Sequence, residues 1–190
     1  MNDPMEGLYK SRRTAFQNEQ IEQVAAQLYD EKIGLGIASF TETWDNELMW
    51  AHYAEGFRGI CVGYNLSALL RGLPSNCSMT RVVYADRPRS LDLEKSSDLP
   101  RRARSVLSTK SAMWGYEREW RLFSPHPGPT RHGKRVVTHV LMGSRISDHD
   151  KAHIQRELGG HGITLHTTSI DGYEVSRTAI RKPKPKASRR

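Results

Sequence analysis

The chain has 190 residues, enough for one ordinary domain and too few for two of full size. Hydrophobic residues make up 37%, mean hydropathy is −0.65, and no apolar run approaches the about 18 residues of a membrane-spanning helix, so a helical membrane protein is excluded. Formal net charge is +8, and six basic residues with no acid sit in the last ten, Arg181 to Arg190, leaving the rest near +2.

Two cysteines, Cys61 and Cys77, lie far apart and fit no metal-ligand spacing. Cys61 falls inside the apolar run Ile60-Cys61-Val62 and reads as a buried thiol. There is no signal-peptide pattern, so a soluble cytoplasmic protein with no membrane contact is expected.

In chain order, Met1 to about Arg13 reads as a loop, with Asn2-Asp3-Pro4 as turn chemistry. Ile21, Val24, Ala25 and Leu28 have helical spacing and predict a helix from about Thr14 to Glu31. Ile33 to Thr41 reads as a buried strand. Asp45 is placed to cap a short helix through Tyr53 and Ala54. Strands are expected at Arg58 to Tyr64 and Arg81 to Ala85, with a helical turn at Leu66 to Leu70 between them. A charged loop from about Arg87 to Pro100 precedes a helix from Arg101 to Met113. Glu117 to Phe123 reads as a strand, then a Pro- and Gly-rich loop leads to a strand at Arg135 to Met142. Ser147 opens a helix to Leu158 whose acidic first turn, Asp148 and Asp150, suits the helix dipole. Ile163 to Ile170 and Tyr173 to Ile180 form a hairpin about Asp171-Gly172. The expected fold is α+β with a mainly antiparallel sheet and flanking helices. Residues 1–180 form one globular domain, followed by a disordered basic tail over 181–190.

Chemistry concentrates in two places. If Glu117 to Phe123 is a strand, Glu117 and Glu119 share one face and Trp120 and Leu122 the other. Paired carboxylates can orient a ribose hydroxyl or stabilise an oxocarbenium-like centre, and they can equally be salt-bridged by Arg118 and Arg121. On the helix after Asp45, Met49, His52 and Tyr53 fall together and Trp50 lies beside them, which suits either a wall for a flat ligand or plain core. The histidines are scattered; His149 and His153 stand at i, i+4 without a zincin glutamate, so a metal centre is not expected.

Asn2-Asp3-Pro4-Met5-Glu6, Asn46 to Ala54 (NELMWAHYA), Gly59 to Tyr64, Val83-Tyr84, Lys110, Trp114 and Tyr116 to Leu122 (YEREWRL) follow one another as in a bacterial family catalogued as domain of unknown function 2971. The resemblance runs over roughly residues 2 to 143. The family's layout is similar to ADP-ribosyltransferase folds, which bind NAD in a cleft of a split antiparallel sheet. That resemblance implies an NAD-dependent transferase of toxin or phage-defence type. Ser39 and Thr41 would lie in the cleft, Trp50, His52 and Tyr53 would wall it, Glu119 would be the catalytic carboxylate and Glu117 would orient the acceptor. A cognate antitoxin or immunity protein would be the partner of such a toxin.

The acceptor on this reading is an Asp, Glu or Ser side chain or a nucleic acid, RNA or DNA; the basic tail favours nucleic acid, because basic residues neutralise phosphates with release of counterions. Arg101, Arg102 and Arg104, with Lys182, Lys184 and Lys186 of the tail, are the candidate contacts. Family members carry an earlier segment ahead of the NDPFE motif that would supply a first strand and the residue gripping NAD. This chain starts at Met1-Asn2-Asp3-Pro4 without it. The alternative expectation is therefore a non-catalytic nucleic-acid-binding module, a degenerate or N-terminally truncated member.

Overall fold

The structure is a computed structural model and describes residues 7–11, 18–91, 98–129, 131–133 and 135–180. The Asn2-Asp3-Pro4-Met5-Glu6 motif and the basic tail with Lys182, Lys184 and Lys186 lie outside the described residues. The elements are β1 (Tyr9–Ser11), α1 (Asn18–Gly34), β2 (Gly36–Thr41), α2 (Glu47–Tyr53), β3 (Ile60–Tyr64), α3 (Leu66–Gly72), β4 (Ser78–Arg81), β5 (Val83–Ala85), β6 (Arg89–Leu91), α4 (Leu99–Leu107), β7 (Thr109–Ser111), a 3-10 turn (Ala112–Glu117), β8 (Glu119–Ser124), β9 (Val137–Met142), α5 (Asp148–Leu158), β10 (Thr164–Asp171) and β11 (Glu174–Ala179). They gather into two compact units, Met1–Thr43 with Pro74–Thr130, and Trp44–Leu73 with Arg131–Arg190.

In the first unit β8 is the centre of a three-stranded antiparallel sheet, flanked by β2 and β4. Two short parallel pairs, β1 with β6 and β5 with β7, complete its strands. Leu28 of α1 meets Ala103 and Val106 of α4 in a core to which Tyr9, Val24, Leu35 and Leu99 add. The single strand expected over Arg81 to Ala85 is two strands. At buried Val82 the chain leaves one sheet for the other: the Val82 N–H donates to Glu119 O at 2.9 Å and the Val83 N–H to Ser108 O at 2.8 Å. The helix expected to run to Met113 stops at Leu107. The hydroxyls of Ser108 and Thr109 bond back to the carbonyls of Arg104 and Ser105 at 2.7 and 3.0 Å, ending the helical ladder and freeing Lys110 for β7.

The second unit holds a four-stranded sheet in the order β11-β10-β9-β3. β10 runs parallel to β9, and the outer pairings are antiparallel. One face packs Leu141 and Val175 against Trp50, Ala54 and Phe57; the other packs Val140, Met142 and Leu165 against Ile154 and Leu158 of α5. The cap of α2 is Asn46 rather than Asp45: its side chain accepts from the N–H groups of Leu48 and Met49 at 2.9 and 3.3 Å. Gly143 brings the end of β9 against the chain at Phe57, where any Cβ would collide with the Phe57 carbonyl oxygen.

The α+β class expected from the sequence holds. The sheet differs from that expectation: among the described residues the strands divide into separate antiparallel, mixed and two-stranded parallel sheets. No helix among the described residues is long and apolar enough to cross a membrane.

Candidate active site

Glu117 is not in a strand. It ends the 3-10 turn, and Arg118 follows with φ of 46°, in the left-handed region, before β8 begins at Glu119. The alternation that placed both carboxylates on one strand face therefore does not apply. They meet by another route: the turn at Arg118 brings both onto Lys110, whose Nζ lies 2.5 Å from Glu117 Oε2 and 3.2 Å from Glu119 Oε2.

Strand alternation does hold within β8. Glu119 and Arg121 share a face, with Trp120 on the other, where its indole N–H donates to Glu42 at 2.8 Å. Arg121 grips Glu119 with two parallel bonds, Nε to Oε1 at 2.7 Å and Nη2 to Oε2 at 3.0 Å. The Arg121 Nη1 donates to the carbonyl of Leu107, which ties α4 to the cluster. Lys110, Glu117, Glu119 and Arg121 are only 2–5% exposed, so four charges that cancel in pairs sit out of water together.

Hydroxyls surround them. On β2, opposite β8, the Ser39 hydroxyl bonds the Glu119 carboxylate, and Thr41 Oγ1 donates to the Glu117 carbonyl at 2.7 Å. The register explains this: Thr41 pairs with Glu119 and Ser39 with Arg121, so all four share one face. The Glu119 N–H donates to the Tyr84 hydroxyl at 2.8 Å, and the Lys110 ammonium lies 5.1 Å from the centre of the Trp114 ring. A cavity of about 110 Å³ opens beside Lys110, lined among others by Ala85, Asp86, Arg87, Thr109 and Ser111.

The charges sustain one another. Burial pushes the Glu119 carboxyl up, but hydrogen bonds from Arg121 and Ser39 and the charges of Arg121 and Lys110 outweigh it and hold it below the ordinary 4.5. Burial pulls the Lys110 ammonium down, and its bond to Glu117 with the charge of both carboxylates reverses this and holds it above 10.5. Glu119 is therefore an ionised carboxylate at neutral pH, with both oxygens engaged.

Of the residues singled out in the sequence, Ser39, Thr41, Glu117 and Glu119 come together here. Trp50, His52 and Tyr53 belong to the second unit. Trp50 is buried in that unit's core, stacked on Phe57 at 5.4 Å, with its indole N–H on the Trp44 carbonyl, whereas His52 and Tyr53 are exposed. Arg101 is exposed on α4, and Arg102 and Arg104 are half-buried. The sequence reading missed Lys110, Tyr84 and Arg121 as members of the site. The signal was present: Tyr84, Lys110 and Arg121 are all motif positions of the family resemblance. No group of three or more metal-ligating side chains is found among the described residues.

No curated protein and no solved structure matches the chain. A family model described as protein of unknown function (DUF2971) matches residues 49–122, a segment that begins in α2, ends in β8 and contains Tyr84, Lys110, Glu117, Glu119 and Arg121. Over that segment the chain is similar to the DUF2971 family.

Proposed function

We propose that this protein is an ADP-ribosyltransferase-like enzyme acting on NAD, with Glu119 as the carboxylate that faces the ribose. The observation that carries the reading is the meeting of Ser39 of β2 with the Glu119 carboxylate of β8 on one sheet face, with Thr41 of the same strand bonded to the backbone carbonyl of Glu117. The resemblance that named these residues assigned them to one cleft; β2 and β8, distant in sequence, bring Ser39 and Glu119 together, and Glu117 arrives from the 3-10 turn ahead of β8. In the proposed reaction the bond between the ribose C1′ and the nicotinamide nitrogen breaks, and its electron pair leaves with nicotinamide. Positive charge builds on the ribose, and an ionised carboxylate fixed in a low-dielectric site stabilises it. An oxygen or nitrogen of the acceptor bonds to C1′, and its proton passes to Glu117. A nucleic-acid acceptor is supported by the outward Arg101 of α4 and by the basic tail.

Ser39 gives the cleanest test, since it is exposed and bears no charge. Ser39→Ala removes one hydrogen bond to a charged group, worth about 1.5–3 kcal/mol. Nicotinamide release from NAD per folded molecule should fall roughly ten- to a hundredfold. Equal release by the variant and the wild-type chain would remove Ser39 from the reaction.

One observation favours a second reading, a non-catalytic nucleic-acid-binding module. Both Glu119 oxygens are taken by Arg121 and Lys110, which leaves the carboxylate little free negative potential. That reading expects RNA or DNA binding that weakens steeply with salt and ignores NAD.

A further inference from the structure

The second unit holds a titratable pair, one member buried, that the candidate active site does not use. His139 of β9 and His166 of β10 stack with ring centroids 5.5 Å apart and 29° between their planes. His139 Nδ1 lies 2.8 Å from the Thr138 hydroxyl, which is itself 3.2 Å from the Gly63 carbonyl. His166 is 8% exposed, and neither of its ring nitrogens has a hydrogen-bond partner among the described residues.

The neighbours of His166 on this sheet face offer no counter-charge. β11 contributes Val175, Arg177 and Ala179, and Arg177 pairs with Thr168, two residues along from His166. The Arg177 guanidinium lies over the Trp44 ring at 4.6 Å. β9 contributes His139 and Leu141, and β3 contributes Cys61 and Gly63. The segment around α2 meets the face through Trp44, Trp50, Ala54 and Phe57, while Glu47 and His52 of that helix are exposed. The face thus carries one guanidinium, two imidazoles and a thiol, and no carboxylate.

We propose that His166 is a proton-operated switch of the second unit: the sheet face accommodates the neutral imidazole and gives way when that ring is protonated beside Arg177 and His139. Burial first, then the charges of Arg177 and His139, hold the imidazole below its ordinary 6.5. The unfolded chain therefore takes the proton more readily than the folded one. The stability that depends on neutral His166 is fully present above 6.5 and is lost as the pH falls toward the depressed value.

The tryptophans give each unit its own reporter, Trp44 and Trp50 in the second and Trp114 and Trp120 in the first. The test follows their indole N–H signals by NMR in the whole chain as the pH is lowered through 6.5, with urea titrations at each pH. The second unit's unfolding constant should rise about tenfold per pH unit, the signature of one proton taken up on unfolding. In His166→Leu that rise should be absent. The wild-type His166 ring signals supply a reading that needs no variant, and they should titrate below 6.5. A His166 ring that titrates at or above 6.5, or a Leu variant that keeps the wild-type pH dependence, overturns the proposal.

Discussion

Glu119 illustrates how a side chain's neighbours decide what it can do. Read alone, Glu119→Gln removes one negative charge and little else. In the folded protein it also leaves Arg121 and Lys110 facing Glu117 alone, inside a cluster that is almost fully out of water. Breaking a buried pair by deleting one partner costs about 3–5 kcal/mol, because the other charge stays buried. Glu119→Gln and Arg121→Met should each lower the urea midpoint by that order, and a loss under about 1 kcal/mol would show that the cluster opens to water. Replacing Lys110 and Glu117 together by Met and Gln should cost less than the sum of the single changes, since they share the 2.5 Å contact.

Elements are where sequence and structure part in an instructive way. Helices with clear caps and hairpins with turn residues were legible. Ser147 caps α5 through its bond from the Asp150 N–H, and Gly172, with φ of 59°, turns β10 into β11. Elements that depend on distant partners were not. The strand break at Val82 exists because Glu119 and Ser108 claim successive N–H groups, and neither is near in sequence. The carboxylate pair was read correctly as a unit for a wrong local reason: a left-handed Arg118, not strand alternation, delivers it to Lys110. Lys110 itself looked like the interior of a helix, and only the hydroxyls of Ser108 and Thr109 put it elsewhere. Two substitutions probe these elements. Asn46→Ala should remove about 1 kcal/mol from the second unit through the lost cap of α2, read by chemical unfolding. Gly143→Ala should cost more, since the Phe57 carbonyl must move to admit a methyl group, and an unchanged midpoint would show that this junction is loose.

The whole molecule combines two units with opposite styles of burying charge. The first matches its buried carboxylates, Glu117 and Glu119, with Lys110 and Arg121. Glu119, held below 4.5, contributes stability that is present above that value and lost as the pH falls through the depressed one. Lys110, held above 10.5, contributes stability present below that value and lost as the pH rises through the elevated one. The second unit buries His166 without a partner and weakens from 6.5 downward. Acid unfolding of the chain should therefore run in two steps, second unit first, and a single cooperative transition for all four tryptophans would contradict this order.

The most direct measurement of the central claim, that Glu119 faces the ribose of NAD, compares nicotinamide release by the wild-type chain and by Glu119→Asp. Aspartate keeps the charge for Arg121 and Lys110, so the fold survives, but it withdraws the carboxylate by one methylene. A displacement of about 1 Å in a reacting group costs roughly a hundredfold in rate. Release by the wild-type chain is expected, with a drop of that order per folded molecule in the variant. No release by folded wild-type protein in the presence of RNA and DNA, or equal release by both chains, would contradict it.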